Sequence, residues 1–64
     1  MPGLSDVWQA HRAADDLSNS LASYYEEGAP NGQTQLTDAQ QQFLVIQHDK
    51  LRQLLEALGV TPGP

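Results

Sequence analysis

Apolar residues recur along most of the chain at steps of three and four. From Leu4 to Tyr25 the apolar positions are Leu4, Val7, Trp8, Ala14, Leu17, Leu21, Tyr24 and Tyr25, with His11 and Ser18 on or beside the same stripe. No Gly or Pro interrupts before Gly28, so the pattern predicts an amphipathic helix over about 5–27. Ser5 is a candidate N-cap, and Asp6 puts negative charge in the first turn, where the helix dipole favours it. The small residues Ala10, Ala13, Ala14, Ser18 and Ala22 thin parts of this helix and permit close approach of another.

Gly28-Ala29-Pro30-Asn31-Gly32 is the clearest break. Gly28 is placed to end the helix in the left-handed conformation, and Pro30 blocks continuation. No alternating apolar pattern flanks Asn31-Gly32, so a hairpin of strands is not expected. The loop spans 28–36.

A second helix follows over about 37–58. Thr37-Asp38-Ala39-Gln40 fits a capping box, in which Thr37 and Gln40 exchange side chain to backbone hydrogen bonds. Leu44, His48, Leu51, Leu55 and Leu58 alternate steps of four and three, a coiled-coil-like seam with His48 its polar member. Phe43, Ile46 and Leu54 widen the stripe, while Val45 shares the wet side with Asp49, Arg52 and Glu56. Gly59 followed by Val60 suits a Schellman stop, and residues 59–64 read as a flexible tail.

The chain is therefore expected to be all-α, one domain folded as an antiparallel helical hairpin. Centring the turn near Gly32 sets residue i opposite roughly residue 64 − i, so that Leu17 lies near Gln47 and His48. Trp8, Tyr25, Val45, Ile46 and Leu54 then exceed what two helices can hide from each other. A four-helix bundle, completed by dimerisation or by docking on a partner, would hide them.

Composition strengthens this expectation. The chain has 64 residues and no cysteine, so no disulfide or thiolate metal site staples it. A core this small barely offsets the entropy of ordering, and unstapled chains of this size stabilise by association. Three Lys and Arg against eight Asp and Glu give a net charge of −5. Through Glu27 the balance is one Arg against five acids, −4, so the acidity sits on the first helix. Lys50 and Arg52 alone in helix 2 are a poor basis for reading a phosphate backbone, which argues against direct nucleic-acid binding. No apolar run is long enough to span a bilayer and no signal peptide is evident, so the sequence predicts a cytoplasmic protein without a membrane role.

Catalytic chemistry is not expected. Asp15-Asp16 and Glu26-Glu27 are adjacent pairs whose side chains diverge by about 100° on a helix, a poor general acid/base couple. No phosphate-cradling Gly-rich loop is present, and no cofactor is implied. His11 and Asp15 are four apart and His48 lies roughly opposite, the one candidate metal set, but without the Glu-x-x-His or His-Glu-x-x-His spacing of helical metal sites.

The functional expectation is a small acidic interaction module, a regulator, inhibitor or accessory subunit. Its candidate partner-binding residues are Trp8, Tyr24, Tyr25, Glu26, Glu27, Phe43, Leu44, Ile46, Leu51, Leu54, Leu55 and Leu58. Tyr24-Tyr25-Glu26-Glu27 would form an aromatic and acidic patch for a basic partner. Trp8 would either cap the open end of the bundle on Leu55 or Leu58 or anchor a partner. A homodimeric structural or virion-type assembly protein is the alternative, and a metal- or pH-responsive bundle using His11 and His48 a second.

Overall fold

A computed structural model describes residues 3–61. It is all-helical: α1 runs Leu4–Gly28, a 3-10 turn covers Ala29–Asn31, and α2 runs Asp38–Ala57, with no strand among the described residues. The two α-helices pack side by side as a hairpin.

The starts of the helices differ in chemistry. Gly3, not Ser5, is the N-cap of α1, and its N–H donates to the Asp6 carboxylate at 2.9 Å. Asp6 thus satisfies a backbone donor as well as the dipole. At α2 the capping box forms in both directions. The Gln40 N–H donates to Thr37 Oγ1 at 3.1 Å, and the Thr37 N–H donates to Gln40 Oε1 at 2.9 Å.

Gly28 does not end α1 in the left-handed region. It stays right-handed, and the chain tightens into the 3-10 turn, which accommodates Pro30 in its first turn, where a missing N–H costs nothing. Gly32, at φ 74°, is the residue that turns the chain. Gly28 is glycine for a different reason: a Cβ there would stand 2.7 Å from Gln33 Oε1 and 3.2 Å from Gln33 Cβ.

The end of α2 follows the sequence. Gly59 takes φ 81°, its N–H donates to the Glu56 carbonyl, and the Val60 N–H donates to the Leu55 carbonyl, each at 2.9 Å. This is the paired Schellman arrangement. Met1 and Pro2, and Pro62, Gly63 and Pro64 of the expected tail, lie outside the described residues.

The face that α1 turns inward is Ala10, Ala13, Leu17, Ser20 and Tyr24, spaced three and four. Ala10 and Ala13, each 6% exposed, are its buried members. From α2 come Gln40, Leu44, Gln47, Leu51, Leu54 and Leu58, all half-buried and spaced four and three. The polar member of that seam is Gln47, while His48 is exposed. The register is near the expected one, since Gln47 Nε2 reaches the Asp16 carbonyl at 3.4 Å. Gln47 Oε1 is buried without a hydrogen-bond partner.

Candidate interaction surface

Among the described residues two alanines and Gly28 are buried, while ten large apolar side chains stay exposed. Leu4 (86%), Tyr25 (75%), Ile46 (65%) and Trp8 (58%) are prominent among them. One layer of two helices has a single internal interface, so each helix keeps an uncovered apolar flank.

On α1 the uncovered flank has its own period. Leu4, Val7, His11, Ala14, Ser18, Leu21 and Tyr25 alternate steps of three and four over 22 residues and are all exposed. At 100° per residue this second seam lies about 110° around the helix from the one that meets α2. On α2, Leu44, His48, Leu51 and Leu55 run along the edge displaced in the same rotational sense. His48, Leu51 and Leu55, with Val60, line a depression whose rim includes Arg52 and Glu56. In an antiparallel pair, flanks displaced in the same sense lie on one side of the hairpin. The other side differs: α2 shows Phe43 and Ile46 there, but α1 shows Arg12, Asp16 and Ser23.

The loop closes one end of the apolar side. Leu21, Tyr24 and Tyr25 line a shallow depression with Leu36 and loop residues 33–35. Gln33 organises that loop. Its N–H donates to the Gly28 carbonyl at 3.0 Å, and its Nε2 donates to the Gln35 carbonyl at 2.7 Å and to Gln40 Oε1 at 2.8 Å. The Asn31 side chain adds a 2.8 Å bond to the Glu27 carbonyl, one of the free acceptors at the end of α1.

The aromatic and acidic tetrad is divided by the helix period. Tyr24 turns inward and is half-buried, whereas Tyr25 and Glu26 are exposed. Glu27 accepts a long bond from Ser23 Oγ at 3.4 Å. Trp8 packs its ring against His11, with centroids 4.9 Å apart, and remains exposed.

Phe43 and Ile46 are exposed on one side of α2, and Val45 is exposed on another. Arg52 pairs with Glu56 at 2.9 Å and with Asp49 at 3.6 Å on the wet side. The hydrogen bond to Glu56, and then its charge, raise the Arg52 pKa further above its already high ordinary value.

His11, Asp15 and His48 do not come together. Among the described residues no three His, Asp or Glu side chains are grouped as a metal site would require. The candidate set stays apart because His11 lies on the outer flank of α1, and Gln47, not His48, holds the seam position on α2. Among the described residues no helix is long and apolar enough to cross a membrane.

Gln33, as the organiser of the loop, and Gln47, as the polar member of the seam, are the residues that sequence reasoning passed over. Gln47 was discernible, since Leu44, Gln47, Leu51, Leu54 and Leu58 alternate three and four as regularly as the seam through His48. Compared with family profiles, characterised proteins and solved structures, the chain matches none.

Proposed function

We propose that this chain is a non-enzymatic protein–protein interaction module that works by burying its uncovered apolar flank against another helical surface, as a regulator, inhibitor or accessory subunit. The observation that carries the reading is the imbalance between two buried alanines and ten exposed large apolar side chains. Contiguous apolar surface rimmed by polar residues marks interaction sites on soluble chains. Tyr25 and Trp8 supply the aromatic anchors that dominate interface energetics. The shallow, unenclosed depressions support binding of a surface over binding of a small molecule. The acidic α1 biases partner choice by long-range charge, more through encounter rate than through affinity. A cysteine-free chain is also compatible with the reducing cytoplasm, the location we assign it.

A dye that fluoresces on apolar surface tests the reading on the full chain at the lowest workable concentration. Dye binding that falls when Leu4 and Leu21 are both replaced by Glu, with helicity retained, is the expected result. A chain that melts cooperatively at that concentration and binds no dye would show that the flank needs no cover and would overturn the reading.

A further inference from the structure

We infer that the surface covering this flank is a second copy of the chain, packed about a two-fold axis with α1 antiparallel to α1 of its partner and α2 antiparallel to α2. The inference rests on the interaction-module reading and names its partner. Three observations carry it.

The first is area. The chain exposes 5122 Å². A compact monomer of its mass exposes about 4,000 Å² on the general scaling of surface with mass. The excess, about 1,000 Å², is close to the roughly 800 Å² that each partner buries in an interface of standard size. The shape agrees: the molecule measures 47 × 25 × 18 Å, with a radius of gyration of 14.3 Å. A compact domain of this length has about 11 Å.

The second is self-complementarity, which a two-fold interface requires because the same patch serves both sides. Reversing the α1 seam about its midpoint, near Ala14, sets Leu4 opposite Tyr25, Val7 opposite Leu21, and His11 opposite Ser18. Large residues meet large ones at the ends, and the small ones meet in the middle, where the helices can approach closely. The α2 edge reverses onto itself as well, with Leu44 opposite Leu55 and His48 opposite Leu51. Its midpoint falls between His48 and Leu51. The Gln47–Asp16 bond sets the hairpin register and brings that midpoint level with Ala14 to within about one residue, or 1.5 Å. One axis therefore satisfies both helices.

The third is charge. Glu26 and Glu27 sit at the C-terminal end of α1, where their own helix dipole disfavours them. Antiparallel pairing carries them to the N-terminal end of the partner's α1, where the dipole favours acids and Asp6 is already turned onto the Gly3 N–H. Parallel pairing would stack the two acidic ends on each other.

Sedimentation equilibrium of the full chain over a wide concentration range tests the assembly. A species of twice the 7.0 kDa chain mass is expected. Ala14→Glu puts two like charges on the axis and is expected to weaken association by about 100-fold or more while keeping helicity, because Ala14 does not face α2. Gln53→Glu, at an exposed α2 position on the side that carries Ile46, is expected to leave the mass unchanged. The chain has no cysteine, so single-cysteine variants with a short bis-maleimide read the orientation. Ala14→Cys should cross-link to itself, and Leu4→Cys should cross-link to Tyr25→Cys only in a mixture of the two. Cross-linking of Leu4→Cys to itself overturns the antiparallel arrangement. A wild-type mass of 7.0 kDa throughout overturns the dimer. If that monomer binds apolar dye, the wider reading stands with a different partner; if it binds none and melts cooperatively, both fall.

Discussion

Gln47 is a costly side chain for the hairpin to bury. It occupies a seam position between Leu44 and Leu51, yet its Oε1 has no partner and its Nε2 reaches only a long bond to Asp16. A buried unsatisfied polar group costs about 1–3 kcal/mol. Gln47→Leu is therefore expected to raise stability by about 1 kcal/mol in urea denaturation, because the amide is removed and the seam becomes continuous. Gly28 shows the opposite balance. Alanine is the better helix former by about 1 kcal/mol, and Gly28 already has helical angles. The 3.2 Å approach of Gln33 Cβ nonetheless means that a methyl group fits only if Gln33 gives by a few tenths of an ångström. Gly28→Ala is expected to lower stability by about 0.5–1 kcal/mol in a thermal melt, since the loop must shift and the Gln33 bonds loosen. The Gly28 effect is not visible in the sequence, and the Gln47 effect is visible only as one of two equally regular seams. Glutamine after Leu44 reads locally as surface, and Gly28 before Pro30 reads as a helix stop. Both are decided by residues brought near from elsewhere.

At the scale of elements, the helix ends are governed by local chemistry. The Thr37–Gln40 box and the Gly59–Val60 stop were legible because both act over a few residues of backbone. Thr37→Ala is expected to cost about 1 kcal/mol, with loss of amide protection confined to the first turn of α2 in hydrogen exchange. The packing of α1 on α2 was less legible. The sequence carries two interleaved stripes on α1, and the larger side chains favour the outer one, yet Ala10, Ala13 and Ser20 face α2. Small residues let the backbones approach, and Leu17 and Tyr24 then fill the remaining space. Ala13→Leu is expected to cost about 1–3 kcal/mol by forcing the helices apart, even though it adds apolar surface. A far-UV melt that moves upward in this variant would show that the helices have room to spare.

At the scale of the whole molecule, the hairpin is a single layer whose outer flank is as regular as its inner one. That regularity links stability to concentration. If the flank is covered by association, the melting temperature rises with chain concentration by mass action. Ala14→Glu is then expected to abolish this dependence and to melt at the low-concentration limit of the wild type. The measurement is a pair of circular-dichroism melts at widely separated concentrations. Two wild-type melts that coincide would mean that the isolated hairpin carries all of its own stability. The acidic surface belongs to this scale too. Its charge lies on α1, so added salt is expected to strengthen self-association by screening, and sedimentation at low and high salt reads the effect.

The sequence by itself determined the local terms: two helices, the Pro-containing break between them, the capping box and the Schellman stop. Each depends on backbone geometry and on side chains a few positions apart. It also determined the excess of apolar surface, because that follows from composition and length. Which stripe of each helix turns inward was decided only by the tertiary structure. Helical periodicity permits the seam through Gln47 as readily as the one through His48, and the small face of α1 as readily as the large. The choice falls to how closely two backbones can approach, a property of the pair that neither helix carries alone. That choice separates His11 from His48 and leaves Leu4, Val7, Leu21 and Tyr25 outside.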